Sequence, residues 1–324
     1  VDCRHARGDQ QRTALVAALR ARDHVLARLA ECPEHCIEID RGDLAPLLGG
    51  LLGQRRAPAH AGIGDAAVDP AKARALATEL VAKDKVQYLA GAYFTPNAMA
   101  MTPILASAKT PLVVLNAATS SITEASPYVV RTSFTMWQNS VPAAIAAKAD
   151  GFQKVITIVS DYGPGIDAET AFGETFKKEG GEIVEALRLP LSTNDFNPIM
   201  QRVKDSGADG IFVFLPGGPP TLGFMKSYLG NGLNDQGIKI ISTGDVMTEP
   251  DLPAVGDVGL GVKTTYHYST AHDSPENKAF LAAVAAVGGD VGETTMAAVA
   301  AYDGAKVIYD MIAATGGKRD PAAA

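Results

Sequence analysis

Beyond residue 70 the sequence alternates between short apolar runs and longer amphipathic segments, and this alternation constrains the fold more than any other feature. Runs with the length of buried strands lie at residues 86–90, 111–115, 155–159, 210–215 and 238–241. Segments with helical spacing lie at 69–82, 96–107, 139–149, 167–179, 198–206 and 220–229. Strands that alternate with helices at this pitch form parallel sheets covered on both faces. The pattern predicts an α/β protein with two doubly wound units, followed by helices at 275–287 and 293–314.

The chain can pass between the two units at two places. Tyr128 to Thr132 has the pattern of a short strand, and residues 262–269 have an extended pattern. If the chain crosses at both places, the closing helices return to the first lobe. The predicted domains are lobe I at 67–131 plus 267–324, lobe II at 132–266, and an atypical N-terminal segment at 1–66, nominally part of lobe I. Lobes joined by several strands form a hinge, and a ligand is expected in the cleft between them.

Residues 1–66 differ in composition from the rest of the chain. They contain no Lys, Ser, Asn, Met, Phe, Tyr or Trp, yet they hold 9 of the 14 Arg, all three Cys and four of the six His. Two interpretations stay open: an Arg/Ala-rich helical extension around residues 10–31, or a wrong-frame translation of a GC-rich gene. Cys32, His35 and Cys36 lack the second ligand pair that zinc sites normally have. No metal site and no functional residue are predicted in this segment.

Charge and motif content exclude several classes of function. The chain has 324 residues, a net charge of −7 and a pI of about 5.4, which argues against a nucleic-acid-binding surface. No apolar run reaches the roughly 18 residues that suggest a membrane-spanning helix. The motifs of serine hydrolases, zinc peptidases and P-loops are missing from the sequence. We therefore expect a protein that is not an enzyme, with no catalytic residue, cofactor or metal.

Polar residues follow two neighbouring strands of the first lobe, at the edge where open parallel sheets bind ligands. The first loop contains Tyr93, Thr95 and Asn97, and Thr95 before Pro96 has the pattern of an N-cap. The second loop contains Ala117, Ala118 and Thr119. Hydroxyls and free backbone N–H groups at a helix start suit a carboxylate. The alternative is that both threonines only cap helices.

Several motifs, taken in order, carry a family resemblance. They are Gln87-Tyr-Leu-Ala-Gly91, Pro111 to Thr119, Tyr128 to Thr132, Ser160-Asp-Tyr-Gly-Pro-Gly-Ile-Asp167, Asp195-Phe196, Ala208 to Phe214 and Ala301-Tyr-Asp-Gly-Ala305. The series covers residues 67 to 324 and resembles the type 1 periplasmic binding proteins. Within them it is most similar to the leucine/isoleucine/valine-binding receptors of ABC transporters. The resemblance implies two doubly wound parallel-sheet lobes joined by a multi-strand hinge.

The resemblance also implies roles for individual residues. Thr95 matches the position where a hydroxyl binds the ligand carboxylate, and Ala117 and Thr119 match positions whose backbone and hydroxyl complete that contact. Asp245 matches the acidic residue that pairs with the ammonium group in amino-acid binders, with helix capping as its alternative role. In lobe II, Tyr162 takes over from an aromatic residue that the family has at the position of Pro164.

The chain departs from the family pattern in three further places. Gly217 and Gly218 stand in a Pro/Gly-rich loop that replaces a usual aromatic contact, which leaves room for a bulkier ligand. The strand that opens the family's first lobe is not found in residues 1–66. Members of the family usually continue past the position of Ala324. We therefore expect the core of a family member with an unusual start.

The function implied is that of the substrate-binding component of an ABC uptake transporter. Such a protein captures a small carboxylate, here an amino acid or an aromatic acid, by closing its hinge. Its partners are this ligand and a membrane permease, with no nucleic acid. Its location is periplasmic, although Val1 and the residues after it lack the basic-then-apolar order of a secretory signal. The alternative is a ligand-sensing regulator of the same fold that acts through a protein partner.

Overall fold

The computed structural model describes residues 37–39, 69–286 and 289–315. Two compact units make up the chain. The first unit comprises Val1–Ser133 and Tyr268–Ala324, and the second comprises Phe134–His267. The second unit is therefore an insertion in the sequence of the first. The interpretations of residues 10–31 and of Cys32, His35 and Cys36 concern positions outside the described residues.

The first unit contains a four-stranded parallel sheet in the order β1-β2-β3-β4. Its strands are β1 (Ile37–Ile39), β2 (Tyr88–Gly91), β3 (Leu112–Val114) and β4 (Val129–Arg131). Helices α1 (Pro70–Ala82) and α2 (Thr95–Ala108) pack with the side chains of one face of this sheet. The last described helix (Met296–Ala314, α9 in the numbering below) packs on the other face. Both faces are covered, which explains why the strands are almost uniformly apolar.

Close packing holds the last helix against β3. A Cβ added at Gly304 of this helix would lie 2.3 Å from Leu115 Cδ2. The Thr132 hydroxyl donates to the Ala300 carbonyl over 3.1 Å, which ties the residue after β4 to the same helix. Residues far apart in sequence thus complete one core, and the first unit needs both of its chain segments.

The second unit contains a five-stranded parallel sheet in the order β6-β5-β7-β8-β9. Its strands are β5 (Lys154–Ser160), β6 (Glu182–Leu189), β7 (Gly210–Phe214), β8 (Lys239–Thr243) and β9 (Lys263–Thr265). Its helices are α3 (Met136–Ala149), α4 (Gly163–Lys178), α5 (Asn197–Ser206), α6 (Pro219–Gly230) and the short α7 (Leu252–Val255). The chain then returns to the first unit with α8 (Pro275–Ala286) and α9.

Helices cover both faces of the second sheet as well. On one face, Phe196, Phe224 and other apolar side chains of α5 and α6 pack against Ile156 and Ile211. On the other face, Phe172 of α4 stacks on Phe212 of β7 with ring centroids 4.0 Å apart. The predicted α/β class with doubly wound parallel sheets is confirmed.

Two strands differ from the prediction. Strand β6 was not predicted, because Glu182, Glu185 and Arg188 interrupt its apolar residues. It lies at the edge of the sheet, where one row of side chains faces water, so a mixed sequence is compatible with a strand there. Strand β1 lies in the segment where no opening strand was found, yet Ile37–Ile39 pairs in parallel with β2. That expectation was wrong, because three residues are too few for a periodic signal.

Among the described residues, no helix is both long and apolar enough to cross a bilayer.

Candidate ligand-binding site

In the first unit, the two predicted loops lie next to each other because β2 and β3 are neighbours in the sheet. The backbone N–H of Ala117 donates to the Ala92 carbonyl over 3.0 Å, and the Asn116 side chain donates to the Tyr93 carbonyl over 3.0 Å. Gly91 and Ala92 have positive φ angles of 134° and 66°. A left-handed alanine is costly, and its strain persists because the neighbouring loop holds it. The sequence therefore forms one rigid double loop at the carboxyl end of the sheet.

The two predicted threonines meet in this double loop. The Thr119 hydroxyl donates to the Thr95 hydroxyl with 2.9 Å between the oxygens. Helix α2 begins at Thr95 itself, with Phe94 at the N-cap, so the predicted N-cap position was wrong by one residue. Thr119 stands at the N-cap of a short 3₁₀ helix (Ser120–Glu124), but its hydroxyl makes no capping bond there and binds Thr95 instead. The pair instead presents two adjacent hydroxyls, which suit a carboxylate.

The other predicted residues of the first unit have different surroundings. Tyr93 is 40% exposed, and its ring lies edge-on to Phe94. Asn97 and Ala118 are buried beside the threonines, and the Asn97 N–H donates to the Phe94 carbonyl. Because the Ala117 N–H already binds Ala92, the amides that follow it in the loop are better placed to be ligand donors. A ligand contact for each of these residues stays a prediction.

Arg131 belongs to this site and was not predicted from the sequence. Its Nη1 donates to the Ala117 carbonyl over 3.2 Å and to the Thr119 carbonyl over 2.7 Å. The residue stands at the end of β4, opposite Val114 of β3. The signal available in the sequence was an arginine at the end of a short apolar strand, since a charged side chain in a buried strand needs partners.

In the second unit, the predicted residues follow three adjacent strands. Tyr162 follows β5, Gly217 and Gly218 follow β7, and Asp245 follows β8. The Tyr162 ring is stacked with Phe214, with centroids 6.1 Å apart. Gly217 and Gly218 have φ angles of 76° and 73°, and a Cβ on Gly217 would lie 3.1 Å from the Asp245 carbonyl oxygen. Glycine is therefore required at this loop, which brings its backbone next to Asp245.

Asp245 has an unusual environment for a carboxyl group. Its side chain is 8% exposed, and Tyr266 donates its hydroxyl to Oδ1 over 3.2 Å. The other oxygen, Oδ2, is buried without a close hydrogen bond among the described residues, although the Thr243 hydroxyl is near enough to lower the pKa of the carboxyl. Burial raises the pKa of the Asp245 carboxyl to about 6, and hydrogen bonding offsets this only in part. A buried acceptor of this kind requires a donor, which a bound ligand can supply.

Tyr266 is the second residue that the sequence did not single out. A Cβ at Gly244 would lie 2.3 Å from its ring, so glycine before Asp245 gives the tyrosine room to reach the carboxyl. The ring also packs edge-on against Phe134 with centroids 5.6 Å apart. Only the aromatic sequence after β9 hinted at this role.

Comparison with known proteins identifies the family. The family described as Periplasmic binding protein matches residues 49–324. The chain belongs to this family. The resemblance predicted from the sequence is thereby confirmed, and this periplasmic binding protein shares its α/β architecture with solved members.

One curated relative is Leu/Ile/Val-binding protein homolog 6 of Brucella melitensis biotype 1. It is 60% identical over 256 residues, which are 79% of this chain and 66% of the relative. The periplasmic binding protein studied here thus spans slightly less than two thirds of that relative's length.

Two solved structures are also similar. One is the solute-binding protein of an ABC transporter from R. palustris in complex with 4-hydroxybenzoate, at 66% identity and a TM-score of 0.77, covering 79% of this chain and 70% of that chain. The other is a solute-binding protein from Rhodopseudomonas palustris BisB5 in complex with 3,4-dihydroxybenzoic acid. It is 44% identical with a TM-score of 0.74 and the same coverage, 79% and 70%.

Within residues 69–286 and 289–315, no group of three acidic, histidine or cysteine side chains is arranged to hold a metal ion.

Proposed function

We propose that this chain is the substrate-binding component of an ABC uptake transporter and that it captures a hydroxylated benzoate. The observation that carries the proposal is the contact between the Thr95 and Thr119 hydroxyls, 2.9 Å apart at the ends of two adjacent strands. The Thr119 hydroxyl donates its hydrogen to Thr95, which leaves the Thr95 hydroxyl and loop amides as donors to one carboxylate. The positions were expected from the family resemblance, and their contact supports that expectation.

Asp245 supports a hydroxylated aromatic ligand in particular. Its buried Oδ2 has no close hydrogen bond, and a phenolic hydroxyl would supply a donor without burying a second charge. An amino acid would instead bring a charged ammonium group to the same oxygen. The two relatives at 66% and 44% identity were solved with 4-hydroxybenzoate and 3,4-dihydroxybenzoic acid, which favours the phenolic class. We infer that Asp245 accepts a hydrogen bond from a ring hydroxyl.

The proposal includes a membrane permease as the protein partner and the periplasm as the place of action. Membership of the periplasmic binding protein family supports both parts of this proposal. Catalysis is not part of the proposed function, because the residues assigned here bind and orient a ligand without a nucleophile and base in contact.

Isothermal titration calorimetry on the purified full chain tests the proposal. The ligands are 4-hydroxybenzoate, 3,4-dihydroxybenzoate, benzoate and leucine. We expect saturable binding of the two hydroxylated acids, and benzoate should bind at least about tenfold more weakly because Asp245 then loses its donor. Binding of leucine alone would assign the chain to the amino-acid class and overturn the choice of ligand. Absence of binding to all four would overturn the proposed function.

A reconstituted transporter separates uptake from sensing. When the ligand-loaded protein is added to its permease in vesicles, we expect the ATPase rate to rise. A protein that binds the ligand but leaves the ATPase rate unchanged would instead fit the regulatory alternative.

A further inference from the structure

The first unit places a fixed positive charge beneath the double loop that carries the paired threonines. Both hydrogens of Arg131 Nη1 are directed at loop carbonyls, those of Ala117 and Thr119, at 3.2 and 2.7 Å. The guanidinium is half-buried and stands at the end of β4, next to the loop that follows β3. The charge therefore acts on the backbone of the loop.

The geometry of the peptide bond fixes what this contact does. In a trans peptide the C=O of one residue and the N–H of the next point in opposite directions, and no described peptide bond is cis. When the Ala117 carbonyl points at Arg131, the Ala118 N–H must point away from it. The same relation holds for the Thr119 carbonyl and the Ser120 N–H. One guanidinium nitrogen thus orients two amides.

The contact also changes how strongly these amides donate. A charged donor on the carbonyl side of a peptide group polarises the group and strengthens hydrogen bonding by its N–H. The guanidinium lies on the inner side of the loop. The N–H groups that it polarises lie on the outer side and carry a larger partial positive charge there. The Thr119 residue that receives the shorter bond is also the one whose hydroxyl binds Thr95.

We propose that Arg131 is a positioning residue for carboxylate binding: it aims and polarises the Ala118 amide toward the ligand carboxylate without contacting the ligand. This inference rests on the proposed function, since it assigns the carboxylate end of the ligand to the double loop. It predicts that loss of the guanidinium weakens the binding of a carboxylate more than the binding of a neutral analogue.

The test compares two ligands on two variants. Calorimetry on the full chain measures the affinity for 4-hydroxybenzoate and for 4-hydroxybenzamide, which differ only in the charge and donors of the head group. We expect Arg131→Gln to weaken 4-hydroxybenzoate binding by about tenfold or more and 4-hydroxybenzamide binding by less than about threefold. Arg131→Lys keeps the charge and should fall between Arg131→Gln and the native chain. Arg74→Gln, on the exposed face of α1, is the matched control and should change neither affinity.

The outcomes separate this inference from the proposed function. If the native chain binds none of the hydroxybenzoates, the proposed function fails. If the native chain binds 4-hydroxybenzoate and Arg131→Gln weakens both ligands equally, or neither, Arg131 has only a packing role and the inference is overturned.

A measurement on the native protein tests the inference even if the Arg131 variants do not fold. In ¹⁵N-labelled native protein, 4-hydroxybenzoate should shift the Ala118 amide proton downfield, as expected when an amide donates to an anion. An Ala118 resonance that does not move at saturation would overturn the inference.

Discussion

At the scale of single residues, the proposed ligand contacts depend on a few polar groups at the carboxyl ends of strands. The Thr95 and Thr119 hydroxyls bind each other, whereas Asp245 Oδ2 is buried without a close hydrogen bond and the Thr243 hydroxyl offsets its burial only in part. Two hydroxyls that bind each other destabilise the ligand-free protein very little. A buried carboxyl oxygen without a close hydrogen bond destabilises the ligand-free protein, and a bound donor removes this effect. These two groups lead to separate predictions.

Thr119→Val should weaken the binding of 4-hydroxybenzoate by about ten- to hundredfold, since it removes a hydroxyl from a carboxylate site without changing the shape of the side chain. Thr119→Ser should restore most of the affinity. Thr110→Val is the control: Thr110 is buried just before β3, at the opposite end of the strand from the double loop. Calorimetry checks all three variants. If Thr119→Val binds like the native protein, Thr119 does not belong to the site.

Asp245→Asn should stabilise the ligand-free protein in a pH-dependent way. Burial raises the folded-state pKa from 3.8 to about 6, so below pH 4 both folded and unfolded states hold the proton and the variant gains nothing. Between pH 4 and 6 the unfolded state loses its proton first, and the native chain loses stability relative to the variant. The difference should level off above pH 6 at about 2 to 3 kcal/mol.

Urea unfolding at several pH values between 4 and 8 measures this difference. Asp205→Asn, an exposed carboxyl on α5, is the control and should show no comparable trend. A constant difference between Asp245→Asn and the native chain across the pH range would contradict the assigned burial.

At the scale of elements, glycines decide where strands and helices approach each other. A Cβ on Gly165 in the first turn of α4 would lie 1.8 Å from the Ser160 carbonyl oxygen, which belongs to β5. A Cβ on Gly173, in the same helix, would meet nothing closer than 3.9 Å. The start of α4 and the Tyr162 before it therefore depend on one glycine.

Gly165→Ala should destabilise the protein by about 2 kcal/mol or more, because the backbone of β5 or α4 must shift to relieve the clash. Gly173→Ala should stabilise it by about 0.5 to 1 kcal/mol, since alanine lowers the entropy cost of a helix. Thermal unfolding of both variants provides the measurement. Equal changes in stability for Gly165→Ala and Gly173→Ala would contradict the close approach of α4 to β5.

How much the sequence could predict also depends on the element. Strands buried on both faces, such as β5 and β7, have continuous apolar runs and were predicted. Strand β6 was not, because its charged residues at an edge resemble a surface loop. Helix α4 was predicted to begin at residue 167, but the Gly-Pro-Gly sequence before it forms the first turn, with Pro164 where proline fits a helix start.

The candidate site was predictable only in part. Polar residues after adjacent strands marked Thr95 and Thr119, because strand ends meet at one edge of a sheet, whereas Asp245 was marked only by the family resemblance. Arg131 and Tyr266 act across the sheet on loops that are distant in sequence, over separations of 12 and 21 residues. No periodicity or spacing rule connects such pairs, so their roles required the fold.

At the scale of the whole molecule, the second unit is one continuous segment with its own core. Residues 134–267 include all five strands of its sheet and the apolar cluster between β5, β7 and helices α5 and α6. The first unit is discontinuous, because α9 covers the second face of its sheet. The two units should therefore differ in their ability to fold alone.

A fragment of residues 134–267 should unfold cooperatively on heating, as expected for a domain with a complete core. A fragment of residues 69–133 should show no cooperative transition, because it lacks α9 and leaves the apolar side chains of β2 and β3 uncovered. Circular dichroism during thermal unfolding distinguishes the two. A first-unit fragment that melts cooperatively would show that α9 is dispensable.

The discontinuity also sets an order of events during synthesis. As the ribosome releases the chain from its N-terminus, strands β2 and β3 emerge long before Ala305 and Ile308, the side chains that will cover them. The inserted unit is complete once residue 267 has left the exit tunnel, while the first sheet still exposes an apolar face. For the time needed to translate about fifty more residues, that face is open to aggregation. Chaperones that hold nascent chains should therefore bind this protein at β2 and β3, and release it only after α9 has docked.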